Sequence, residues 1–146
     1  MLDLLNITKA LTDENRIRIV LALRRRPLCV CQLTAFLDLA PSTTSRHLSV
    51  LRQARLIEGR KSGKWVYYRL PEEDGLPLAV EMLRLVVGHL EHQPRFRRDE
   101  ARIRKILERE DLLCAGMSAA EKDLLHSPEL HLLEQEAYPP EEGSFP

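Results

Sequence analysis

At 146 residues, with 44% hydrophobic side chains and 22 Lys/Arg balanced by 22 Asp/Glu, the chain is long enough for one real core and too short for two large domains. No apolar run approaches the roughly 18 residues of a membrane span, and the N-terminus lacks a signal-peptide pattern, so a cytoplasmic protein with no membrane partner is expected. Three cysteines, an odd number, do not make a disulfide framework and leave metal binding or redox chemistry for a thiol pair.

The net charge of zero hides an asymmetry. Residues 1–70 carry 13 Lys/Arg against 5 Asp/Glu, a net +8, and residues 71–146 carry 9 against 17, a net −8. A basic half beside an acidic half is the electrostatic layout of a nucleic-acid binder whose tail is kept off the phosphates. The bland alternative is two sets of ordinary solvated helix faces.

In chain order, Leu2 to Leu11 has apolar residues at positions 2, 4, 5, 7, 10 and 11, a broad helical stripe. Thr12-Asp13-Glu14 supplies a cap and first-turn acids for a second helix from Asn15 to about Arg25, with Ile17, Val20, Leu21 and Leu23 as its apolar set. Arg24-Arg25-Arg26-Pro27 closes it, because basic groups suit a helix C-terminus and proline cannot continue the ladder. Those arginines are either helix-end electrostatics or phosphate contacts.

A third helix is expected over Cys29 to Leu39, with Val30, Leu33, Phe36 and Leu37 apolar, followed by a turn at Asp38-Leu39-Ala40-Pro41. Ser42 then reads as the N-cap of a fourth helix running to about Arg55. Thr44, Leu48 and Leu51 repeat at helical spacing toward the core, which turns Thr43, Ser45, Arg46 and Ser49 outward. Small hydroxyls with one arginine at a helix N-terminus suit entry into the major groove of double-stranded DNA. Candidate DNA contacts on this helix are therefore Ser42, Thr43, Ser45, Arg46, His47, Ser49 and Arg52.

Leu56 to Arg60 and Lys64 to Leu70 read as two strands joined by the basic tip Lys61-Ser62-Gly63. After a helix-turn-helix they would form a wing, with Arg60, Lys61 and Lys64 near phosphate or the minor groove. After the acidic break Pro71-Glu72-Glu73-Asp74-Gly75, Leu76 to Leu90 is a strongly apolar helix whose stripe includes Leu83 and Val86. That stripe exceeds what a small domain covers and implies a homodimer interface. Pro94 is expected to end this helix. Asp99 to Leu113 is charged and amphipathic, with Cys114 at its end and Gly116 as a C-cap. Ser118 with Glu121, and Ser127-Pro128, look like the starts of short helices. The expected organisation is a winged helix-turn-helix and dimerisation domain over 1–93, a helical extension over 94–137 and a disordered tail over 138–146. The fold class is mainly α with a small β-hairpin.

The stretch Leu28-Cys29-Val30-Cys31-Gln32-Leu33 places two thiols one residue apart at the head of the third helix. On a regular helix, residues i and i+2 lie about 200° apart, so one ion shared by Cys29 and Cys31 would require the first turn to unwind or distort. A sensor is implied, with its input on the helix packed beside the reader. A redox pair is the other use of such thiols. No Gly-rich phosphate loop, zinc-ribbon pattern or general base is visible, so neither an enzyme nor an organic cofactor is expected.

Residues from about 9 to 70 resemble the ArsR/SmtB family of winged-helix metalloregulators, in particular its arsenical-resistance repressors. The resemblance rests on Leu11-Thr12-Asp13-Glu14-Asn15-Arg16, on Leu28 to Leu33, on Ser45 to Arg52 and on Arg60 to Leu70. It implies a homodimer that binds operator DNA and leaves it when As(III) or Sb(III) binds the thiols. The family's arsenic repressors carry a third cysteine three residues after the second, where this chain has Thr34. The ligand set carried over is therefore Cys29 and Cys31, with Cys114 as the remaining thiol. A cadmium/lead branch adds cysteines from an N-terminal arm, and this chain has none before Cys29. The zinc branch uses acidic and histidine pairs on the dimer helix. His89 and His92 sit there at i, i+3, but the earlier pair's positions are apolar, so the histidines read as solvent-facing or structural. The alternative within the same fold is a repressor sensing oxidants or reactive sulfur through its thiols, or one sensing Cd or Pb.

Overall fold

Asp13 sets where the second helix begins. In a computed structural model that describes residues 1–62 and 65–109, its Oδ1 accepts the Asn15 and Arg16 backbone N–H groups at 2.8 and 3.2 Å. Two donors of the first turn that lack helical partners are thereby satisfied. The helices are α1 (Leu2–Ala10), α2 (Glu14–Leu23), α3 (Val30–Leu37), α4 (Pro41–Gln53), α5 (Pro77–Leu90) and α6 (Pro94–Glu108). A three-stranded antiparallel sheet of β1 (Leu28–Cys29), β2 (Glu58–Ser62) and β3 (Trp65–Arg69) has the order β1-β3-β2.

The expected helix over Cys29–Leu39 is corrected at its start. Leu28 and Cys29 form a short strand paired with Tyr68 and Tyr67 of β3, and the helix begins at Val30. Two residues carry no readable period, and only the partner strand fixes their conformation. Helix α3 ends on Asp38 in the left-handed region, φ 55°, which a short polar side chain tolerates.

The N-cap of α4 is Ala40, not Ser42. Proline's fixed φ and missing N–H suit the first helical position, so Pro41 takes it and Ser42 falls inside the first turn. The helix closes with the Leu56 N–H on Leu51 O at 3.0 Å and the Arg55 N–H on Arg52 O at 2.9 Å. Arg55 holds the left-handed position of this Schellman turn, φ 57°. The wing strands start later than expected because Leu56 and Ile57 are committed to the core.

Proline acts likewise at position 94. Rather than ending a helix, Pro94 occupies the first turn of α6 behind the cap residue Gln93. Helix α6 packs on α3 and α2, laying Phe96, Ile103, Ile106 and Leu107 against the core. Leu28, Leu33, Phe36, Leu48, Leu51 and Leu56 are fully buried at the centre, each contributing about 1.5–3 kcal/mol by leaving water.

The apolar stripe of α5 is also corrected. Ala79, Leu83 and Val87 are buried within the single chain and Met82, Val86 and Leu90 are half-buried. Among the described residues the exposed large apolar side chains are Leu85, at 65%, Leu2, Leu4 and Leu5 of the packed neighbour α1, and Met1 at its cap. Cys114, Gly116 and the helix starts at Ser118 and Ser127 lie outside the described residues, as do Gly63 and Lys64 at the wing tip.

Candidate DNA interface and thiol site

Helix α4 presents Ser42, Ser45, Arg46, Ser49 and Arg52 to solvent, with Thr43 half-buried beside them. Thr44, Leu48 and Leu51 hold the opposite face in the core. The row thus stands on a rigid support. Arg60 and Lys61 are exposed on β2, and neither they nor Arg46 and Arg52 form an ion pair among the described residues. His47 is placed differently. Its Nδ1 lies 3.5 Å from Arg16 Nη1 and 3.9 Å from Asp13 Oδ1. It braces α4 against the capped start of α2, with Arg16 itself donating through Nε to the Ala10 carbonyl at 2.6 Å.

In the run Arg24–Arg26, the first two side chains are engaged by acids of the fold. Arg24 reaches Glu91 at 3.3 Å and Glu100 at 3.2 Å, and Arg25 reaches Glu100 at 2.7 Å. Arg18 grips both oxygens of Asp99 at 2.8 and 2.9 Å, and its guanidinium lies 4.9 Å from the centre of the Phe36 ring. The hydrogen bonds to Asp99 hold Arg18 above its ordinary pKa. Nothing in the local pattern of α2 signalled these partners.

Cys29 is 2% exposed and sits at the N-cap of α3 with an extended backbone. Its N–H donates to Gln32 Oε1 at 2.8 Å, while the Gln32 N–H faces the Cys29 sulfur, a capping box with a thiol in the usual hydroxyl place. The Cys-x-x-Gln spacing was the signal for this, and reading the cysteines as metal ligands or a redox pair missed it. Cys31 is half-buried in the first turn. Since Cys29 lies outside the helix, the 200° separation expected of a regular helix does not apply. Thr34, one turn on from Cys31, has a buried Oγ1 with no hydrogen-bond partner. His89 and His92 are exposed on and just beyond α5. Among the described residues no three His, Cys, Asp or Glu side chains gather into an ion site. No described helix is long and apolar enough to cross a membrane.

A helix pair with an outward polar row on its second helix, followed by a two-stranded hairpin, defines a winged-helix DNA-binding regulator. The chain belongs to the family described as bacterial regulatory protein, arsR family, which matches residues 13–58. It is 46% identical over 68 residues to the arsenic resistance transcriptional regulator ArsR1 of Pseudomonas putida, covering 46% of this chain and 53% of that protein. It is 40% identical over 84 residues to ArsR2 of the same organism, covering 56% and 71%. The chain thus spans about half the length of the first of these relatives. The solution structure of the homodimeric winged helix-turn-helix DNA-binding domain of Mb0332 from Mycobacterium bovis, a possible ArsR-family transcriptional regulator, matches with a TM-score of 0.50 and 27% identity. That match covers 63% of this chain and 85% of that one.

Proposed function

We propose that this chain is a homodimeric transcriptional repressor that binds operator DNA through α4 and the wing, and releases it when As(III) or Sb(III) is taken up by Cys29 and Cys31. The observation that carries the reading is the double attachment of Cys29. The residue caps the helix packed against the reader and pairs with Tyr67 of the wing strand β3. Any pull on its sulfur therefore acts on both DNA-facing elements together.

The donor set fits the chemistry of a soft metalloid, because two thiolates are soft donors and the Thr34 hydroxyl is hard. When bound, the metalloid supplies strong bonds to sulfur. Cys31 in the first turn and Cys29 at the cap must approach one another, which draws the Cys29 sulfur off the Gln32 N–H and strains the Cys29–Tyr67 pairing. Two readers must sit about 34 Å apart on DNA, and a shift of either loses base and phosphate contacts together. Release works only to the extent that the metalloid prefers the DNA-incompetent form. Two copies would meet through Leu2, Leu4, Leu5 and Leu85, the apolar side chains one chain leaves uncovered. Cys114 is the proposed third thiolate, acting at an effective concentration on the order of millimolar if its tether reaches.

A thiol-based redox sensor is the second reading, favoured by the N–H of α3's first turn aimed at the Cys29 sulfur. An anionic sulfur accepts that bond better than a neutral thiol does. Gel shifts with operator DNA separate the two. Under reducing conditions As(III) should release wild type, while Cys29→Ser and Cys31→Ser keep DNA and lose release. Serine is itself a good N-cap, so the fold survives. Release of either variant at the wild-type concentration removes that cysteine from the site, and release by peroxide without metalloid favours the redox reading. Cys114→Ser should lose about one sulfur from the arsenic X-ray absorption shell, and an unchanged sulfur count rejects Cys114 as a ligand.

A further inference from the structure

Between the C-terminal half of α2 and the face of α6 lies a cleft of about 170 Å³. Its floor is apolar, made by Leu21, Ala22, Phe96, Ile103 and Leu107. Its rim is cationic. Arg18, Arg24, Arg25, Arg26 and Arg104 line it against only Asp99 and Glu100, an excess of three positive charges. Arg18 and Arg24 spend theirs on carboxylates inside the fold, but Arg26 and Arg104 meet no acid among the described residues. A cationic rim, with Arg26 and Arg104 exposed at its edge, above an apolar floor suits a ligand that is both acidic and apolar. DNA phosphates supply the charge and nothing for the floor.

We propose that this cleft is the docking site of the chain's own acidic segment after α6, residues 110–136. That segment carries seven acidic residues against one lysine, together with seven leucines, the composition the cleft asks for. It also begins in the right place. Leu107 lines the cleft and α6 ends at Glu108, and three residues of chain beyond Leu107 span up to about 10 Å at ~3.5 Å per residue, a reach that includes the rim. Tethering at that distance gives an effective concentration on the order of millimolar, which a free competitor must exceed. Docking would neutralise the basic end of α2 and hold the acidic segment off the DNA-facing row of α4. The proposal does not depend on what the thiols sense.

The test uses the full chain with Arg26→Lys, which keeps the charge and supplies an amine for zero-length carbodiimide coupling. An equal mixture of ¹⁴N- and ¹⁵N-labelled protein is coupled, digested and read by mass spectrometry. The expected product joins position 26 to an acid within 110–136 of the same isotope. Its yield should fall at least five-fold when Arg104→Glu is added. Products of mixed isotope would assign the cleft to a second copy and overturn the proposal, as would the lack of any product with 110–136. As a second measurement, Glu110→Gln, Asp111→Asn, Glu121→Gln and Asp123→Asn combined should speed hydrogen exchange of residues 21–26 several-fold. Unchanged exchange there equally overturns it.

Discussion

Two sets of arginines in this chain carry the same charge and do opposite work. Arg46 and Arg52 on α4, with Arg60 and Lys61 on β2, stand in solvent without acidic partners among the described residues. Arg18, Arg24 and Arg25 are folded against Asp99, Glu91 and Glu100. The first set is available to phosphates and base edges. The second is spent on attaching α6 to the body, with Arg18 also lying over Phe36 of the thiol-bearing helix. The excess of positive charge in the first half of the chain therefore overstates the charge offered to DNA. Ion pairs that are partly desolvated bind a helix, whereas exposed cations next to water contribute little to stability and much to encounter with a polyanion.

Cutting the inner set should produce the largest stability change. Arg18 and Asp99 are only 14% and 15% exposed, so Asp99→Ala leaves a mostly buried guanidinium unpaired. We expect a loss of about 2–3 kcal/mol in urea unfolding, with the salt dependence of DNA binding unchanged. A loss below about 0.5 kcal/mol would mean that α6 is not held by this pair. The outer set should behave in reverse. Arg46→Ala should weaken operator binding by about 1–3 kcal/mol if it forks onto a base, while stability stays within about 0.5 kcal/mol. Equal weakening on operator and random DNA would reassign it to the phosphates. The smallest effect belongs to the wing. Arg60→Ala and Lys61→Ala should each lower the salt slope of binding by about one unit on every sequence, and Arg24→Gln should leave that slope alone. A slope that falls for Arg24→Gln would erase the distinction between the two sets.

Much of the architecture was legible because it is written locally. The Asp13 cap, the Thr44-Leu48-Leu51 core row of α4 and the β-rich run Trp65–Arg69 each depend on neighbours within a few positions. Ser42 was misplaced as a cap because Pro41 competes for the first helical position, and Pro94 was read as a stop where it is a start. Both errors come from treating proline as a breaker when its fixed φ also opens helices. His47 follows Thr44 by three and precedes Leu51 by four, so the helical period already sets it beside the core row and apart from Arg46; that it turns toward Arg16 and Asp13 came only with the structure.

The thiol site divides the same way. That Cys29 and Cys31 are soft donors beside a reader helix followed from residue type and order alone, since sulfur chemistry and helical spacing need no third dimension. That Cys29 lies in a strand, opposite Tyr67, was decided by a pairing across nearly forty residues. That Arg18 serves Asp99 was decided across 81 positions. A local period reports which face of an element is buried, but the partner that buries it is set by chain closure and packing, and so it enters only with the tertiary structure.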